Sequence, residues 1–265
     1  MKHKMLFMVL FVLVSASAVF AASTSNNFGT KKRMPRPEEY GNVVINNYSE
    51  KNNIAPVVFK HWVHRTKFTC RVCHVDLGFA MEAGGSDIKE ADNLNHLYCG
   101  SCHNGKDAFG PSSREKLVAE VQNCDRCHSY DKDVKGQKNF NETMKDFPQA
   151  RFGNRVDWMK AEEKGLIKLK DQVEGISIKR QAIPNPKDFD IKSTILGMPD
   201  IIFSHKIHAD LNGCELCHPE IFGAKRGATK YNMQDIFAGK FCGSCHAKVA
   251  FPFYDCQLCH LKEVY

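Results

Sequence analysis

A mostly irregular chain of short α-helices, with few or no strands, built as two tandem copies of one module, is what this 265-residue sequence predicts. Two observations predict it. First, all twelve cysteines fall in six copies of Cys-x-x-Cys-His: Cys70–His74, Cys99–His103, Cys124–His128, Cys214–His218, Cys242–His246 and Cys256–His260. Second, the segment leading into the first motif recurs before the fourth. The motif is the attachment site of c-type haem, because its two thiols can add to the two vinyl groups of one haem while the adjacent imidazole reaches the iron. The second thiols are Cys73, Cys102, Cys127, Cys217, Cys245 and Cys259. Zinc sites pair Cys-x-x-Cys units without demanding a His after each, and a thioredoxin-like motif occurs once, beside a βαβ pattern. Six covalent haems is therefore the reading. Haem also explains the fold class. A unit of about 70 residues buries too little surface by itself, whereas covalent macrocycles supply an apolar interior and make long helices or sheets unnecessary.

The elements follow in chain order. Residues 1–21 carry a short basic start, an apolar run from Met5 to Val14 and small residues up to Ala21, the pattern of a secretory signal cut after Ala21. The apolar run is shorter than the roughly 20 residues of a spanning helix, so no transmembrane segment is expected after cleavage. Export suits c-type haem, which is attached outside the cytoplasm, and suits a cysteine-rich chain. Residues 22–53, rich in Asn, Lys and Pro, read as a loosely ordered N-terminal arm. The first module spans 54–130 and the second 200–265. Val57–His74 and Ile201–His218 align without a gap at an offset of 144, matching Phe59 to Phe203, His61 to His205 and His64 to His208. Small strands are expected at Val57–Phe59 and Ile201–Phe203. The second motifs are identical, Cys-Gly-Ser-Cys-His, and each is followed by an Ala-Phe pair, Ala108-Phe109 and Ala250-Phe251. The third motifs drift in offset because the first copy has a longer loop holding Gly110, Pro111 and Ser112. Residues 131–199 form a linker free of cysteine and histidine. Within it, Asn154 to Gly165 reads as a short helix with Asn154 as N-cap, Asp157 in the first turn and Gly165 past the end. Trp158 and Met159 on that helix are expected to pack on a haem edge or a module surface. The Pro-Asn-Pro run after Ile183 reads as extended chain.

The motif histidines His74, His103, His128, His218, His246 and His260 are the proximal ligands. Of the remaining six, His3 leaves with the signal, and His61, His64, His96, His205 and His208 all lie upstream of haem motifs, which marks them as distal ligands. The segment Phe-x-His-x-x-His followed by Cys-x-x-Cys-His, then Cys-Gly-Ser-Cys-His with Ala-Phe, then a third motif, resembles the class III multihaem cytochromes of the trihaem, cytochrome c-seven type. The resemblance is closest to proteins with such modules in tandem, and covers the two modules but not the arm or linker. It implies that His61 pairs with His74, His64 with His103, His205 with His218 and His208 with His246. It also implies that the third haem of each module takes its distal ligand from just upstream of the middle motif. The first module offers His96 there, with Met81 as a rival. The second has Gly239 at the matching place, leaving Met233 as the best donor, Lys240 or a vacant position as alternatives. Thioether ligation would raise that haem's potential.

The formal charge of +7 would ordinarily suggest an anionic partner. Loss of Lys2 and Lys4 leaves +5, and the propionates of six haems add roughly −6 oxidised and −12 reduced, so nucleic acid is not expected. No Gly-rich phosphate loop and no spare cysteine nucleophile is present. The reading is an electron carrier of the periplasm or another extracytoplasmic space, not an enzyme. The resemblance implies anaerobic respiration, with partners such as a membrane quinol-oxidising complex, a hydrogenase or a terminal reductase. The alternatives are a multihaem reductase of a small nitrogen or sulfur oxyanion at an open haem of Cys256, Cys259 and His260, or a haem subunit of a membrane-associated electron-transfer complex.

Overall fold

Val, Ile and Phe cluster where the chain enters each module, and β-branched and aromatic residues suit a pleated, half-buried surface. In the computed structural model, which describes residues 34–110, 123–130, 132, 137–181 and 183–262, these stretches are strands. β1 (Asn42–Ile45) runs antiparallel to β2 (Val57–Lys60), with Val43 opposite Phe59. The chain then turns directly into α1 (His61–Arg65), passes the first motif in a wide turn over Val72–Asp76, and forms α2 (Glu90–Leu94), a 3-10 turn at Tyr98–Ser101 and α3 (Cys124–Cys127). Two helices follow, α4 (Phe140–Met144) and α5 (Trp158–Glu163). The second module repeats the plan with β3 (Phe189–Ile191), β4 (Asp200–Phe203), α6 (His205–Asn212), α7 (Met233–Phe237), 3-10 turns at Phe241–Ser244 and Cys256–Leu258, and β5 (His260–Lys262). β3 and β5 flank β4, both antiparallel to it. The signal segment 1–21, residues 22–33 and the loop residues Pro111 and Ser112 lie outside the described residues. No helix among those described is long and apolar enough to cross a membrane.

Most of the chain is irregular, as expected, but pairing and packing cross the expected segment limits. The arm as bounded at 53 contains β1, because pairing with β2 satisfies backbone groups that a loose arm would leave to water. Val43 faces Phe59 as Phe189 faces Phe203, so each module begins with its own leading strand, some dozen residues earlier than the repeat suggested. The linker is not a tether. Trp62 on α1 packs with Phe140, Met144, Val156, Trp158, Ala161 and Ile167, flanked by Val63, Phe147 and Leu169, in a buried hydrophobic cluster. Trp62 is 2% exposed. Trp158 thus covers a module surface, the half of its expected role that involves protein.

The linker helix is present with a different cap. Asp157 is the N-cap, its carboxylate accepting from the Lys160 amide, and its negative charge suits the positive end of the helix. Asn154 instead uses Oδ1 to accept from the Val156 amide and the Trp158 indole. At the other end Gly165 has φ of +69°. Its amide donates to the Glu162 carbonyl and that of Leu166 to Ala161, the paired bonds of a Schellman turn.

Candidate metal centres

A histidine ligand must present one ring nitrogen to the metal and tie down the other. Ten of the eleven candidate histidines do the second through Nδ1, which donates to a backbone carbonyl and thereby fixes the tautomer with Nε2 free. Among the motif histidines, His74 donates to Phe79, His103 to Phe109, His218 to Phe222 and His246 to Phe251, at 2.6 to 3.2 Å. Phe109 and Phe251 are the Phe of each Ala-Phe pair, so the repeated dipeptide closes a loop over its own motif. The third motif uses the entrance of the module: His128 donates to Ala55 at 2.9 Å and His260 to Pro199 at 2.6 Å, both just before the first repeated strand. Upstream, His61 donates to Gly41 (2.6 Å), His64 to Lys60 (3.3 Å), His205 to Lys187 (3.0 Å) and His208 to Ser204 (2.8 Å).

With the tautomers set, opposed rings are the next requirement. Two imidazoles on one metal, each bonded at about 2 Å, place their ring centroids roughly 6 Å apart. His61 and His74 stand at 6.4 Å with rings 7° from parallel. His64 and His103 stand at 6.2 Å, and His208 and His246 at 6.4 Å. The structure therefore brings together three of the four pairs that the resemblance implies. His205 does not meet His218 in a ring contact. Phe59 stacks on His64 at 4.5 Å and Phe203 on His208 at 4.4 Å, holding the second His of each Phe-x-His-x-x-His segment in its orientation. Burial pushes His61 and His64 down to about 4, so both rings are neutral at neutral pH and keep the lone pair that a metal needs.

The donors for the third haem of each module are less organised. His96 has a backbone φ of +60°, its ring makes no hydrogen bond among the described residues, and it meets no other imidazole. Gly239, its counterpart, has φ of +85°. Both modules thus need a left-handed turn at this point. Glycine adopts it freely, while His96 holds it at a strain that persists only where the surroundings impose it. Met81, His96 and Met233 all line the central cavity. Lys240 does not, and pairs with Asp235 at 3.5 Å.

That cavity has a volume of about 2700 Å³, several times an ordinary ligand pocket of roughly 300–1,000 Å³. Every motif contributes a thiol to its wall: Cys70, Cys99, Cys127, Cys217, Cys242 and Cys256. No disulfide joins the cysteines, so both thiols of every motif are available for thioether attachment. Burial pushes Cys73 and Cys245 up to about 12, far from a reactive thiolate. Trp62 adds a buried indole N–H without a partner. The residues present fit the group: paired thiols in every motif, imidazoles at ligation spacing and an apolar space between them.

What sequence reasoning missed is the set of carbonyls behind the ligands. Gly41 and Lys187 occupy the same place before β1 and β3, yet any residue supplies a carbonyl, so nothing in their side chains announces it.

Fold and site define a multihaem c-type cytochrome, a class of electron-transfer proteins. The chain belongs to the family of cytochrome c7 and related cytochromes c, whose model matches residues 57–129 and 201–262, one match per module. Among solved structures, a c7-type three-haem cytochrome domain is 39% identical over 29% of this chain and 95% of its own, with a TM-score of 0.27. The C-terminal hexahaem fragment of the protein GSU1996 is 24% identical over 86% of this chain and 99% of its own, with a TM-score of 0.26. The whole dodecahaem cytochrome c GSU1996 is 24% identical over 83% of this chain and 74% of its own, with a TM-score of 0.26. No curated protein matches the chain.

Proposed function

We propose that the chain is an exported, periplasmic or extracytoplasmic hexahaem electron carrier that shuttles electrons between redox partners in anaerobic respiration. Covalent haem supplies a one-electron site at each motif. The protein's part would be to hold it through the paired thiols and to ligate its iron with the histidines, while Phe59 and Phe203 keep His64 and His208 in orientation. The observation that carries the reading is the set of opposed imidazoles at 6.2 to 6.4 Å: an iron closed on both sides carries electrons and has no place for substrate. Ligation of His205 to the iron at His218, of His96 or Met81 in the first module and of Met233 in the second completes the proposal. Met233 begins α7 and lines the same cavity as Cys256 and Cys259, whereas Lys240 pairs with Asp235.

Two measurements test it. The intact mass of the mature protein should exceed its processed polypeptide by six haems; four or fewer would sink the count. The reduced protein should take up no carbon monoxide rapidly. Fast uptake at one haem, with turnover of nitrite or hydroxylamine, would mean that the iron at His260 is open and that the reductase alternative holds.

A further inference from the structure

The two modules meet at a cation that no carboxylate among the described residues pairs. Arg65 ends α1, directly after His64, and lines the central cavity. Its guanidinium lies 5.0 Å from the Trp158 ring and donates from Nη1 to the Val249 carbonyl at 3.4 Å. It thus touches the first module, the linker helix and the second module at once. No described carboxylate comes within ion-pair distance, although Glu162 on α5 lies close enough to attract it. Burial holds the guanidinium below its usual range. Its field reaches His61, on one opposed pair, and His246, on another, as well as Cys70 and Cys245. The first of each belongs to the haem at Cys70–His74, the second to the haem at Cys242–His246 in the other module. The repeat supplies its own control, since Arg65 aligns with Ala209.

We propose that Arg65 is the charge that raises the reduction potentials of the two haems held at Cys70–His74 and Cys242–His246, one in each module, and so governs the passage of electrons from one module to the other. This rests on the electron-carrier reading and deepens it. A positive charge in a low-dielectric setting favours whichever neighbouring state carries less positive charge, and taking up an electron lowers the charge of a haem by one. Attraction to propionate carboxylates would hold the guanidinium in place, as arginine does for carboxylates generally. Transfer across the boundary oxidises one iron and reduces the other, and no proton or ligand changes hands.

The test is a redox titration of the full holoprotein followed by NMR of the haem methyl groups, which resolves individual haems. Arg65→Gln should lower the potentials of two haems, those at His74 and His246, and leave the other four unshifted, while Arg65→Lys keeps both near the wild-type values. No shift, an equal shift at all six, or a shift in Arg65→Lys matching that in Arg65→Gln overturns the proposal. Should Arg65→Gln fail to mature, Glu162→Gln at low salt serves instead: removing that exposed acid should raise the same two potentials, and an absence of change there overturns the proposal equally. Failure here would leave six low-spin haems and the carrier function intact. Failure of the ligand assignments would instead appear as unchanged low-spin spectra when the histidines are replaced.

Discussion

His208 shows what one side chain does in this architecture. Ser204 orients its Nδ1, Phe203 stacks on its face, and His246 stands opposite at 6.4 Å. His208→Ala should leave one iron of the second module five-coordinate or water-bound, giving one high-spin haem out of six; an unchanged low-spin spectrum would refute the pairing. The candidate histidines were legible because metal ligation demands a particular residue type and histidine is otherwise sparse here, and three of the implied pairs stand as opposed rings. Their orienting carbonyls at Gly41, Lys187, Ala55 and Pro199 were not, because backbone groups carry no residue signature. Glycine fell between these cases. Gly100 and Gly243 sit in the two identical motifs, and a Cβ there would run into the carbonyls of Asn93 and Ile236 on the preceding helices. The identity of the motifs was visible in sequence, and the close helix approach behind it was not.

At the scale of elements, the helices are short, four to eight residues each, well below the roughly 12–15 residues at which an isolated helix becomes even marginal in water. They persist because haem and neighbouring backbone hold them. A chain made without haem attachment should therefore lose most of its far-ultraviolet helical signal, and retention of that signal would show that the helices stand by themselves. α5 is held differently, by its Asp157 cap and the Gly165 turn over a buried face of Trp158 and Ala161. Asp157→Ala should cost about 1 kcal/mol in a denaturant titration, with haem spectra unchanged. Asn154→Ala should affect instead the seat of Trp158, whose indole it accepts. Sequence placed this helix correctly and its cap three residues early, since Asn and Asp both make good caps and only tertiary packing chose between them. The leading strands β1 and β3 escaped notice because they lie outside the segments that repeat in sequence, Val57–His74 and Ile201–His218.

At the scale of the whole molecule, the absence of cysteine and histidine from 131–199 marks a lack of haem ligands; it does not mark a lack of packing. The stretch divides by ownership. Phe140, Met144, Trp158 and Ala161 pack on Trp62, and Lys170 exchanges backbone hydrogen bonds with Lys67 and Thr69, so this part belongs with the first module. β3 pairs with β4 and Lys187 orients His205, so the end belongs with the second. Between them the chain from Ile178 to Asp188 is largely exposed, with Ile183 at 73%. Arg180 interrupts that exposure by bridging Asp76 of the first module and Glu215 of the second, at 2.5 Å to each. Limited trypsin treatment should therefore make its first cut within residues 137–262 after Lys179, where exposed backbone can enter a protease, with the engaged Arg180 cut more slowly. Each product should keep three haems and low-spin spectra, the first retaining the Trp62 cluster and the second its leading strand. A first cut between 140 and 170, or loss of ligation on cutting, would mean that this division is wrong. Trp62→Ala supplies the converse: removing so large a buried side chain should cost roughly 3–5 kcal/mol, loosen the helices packed on it, and move early cleavage into 140–170. If cleavage of that variant stays after Lys179, the cluster does not hold the linker to the first module.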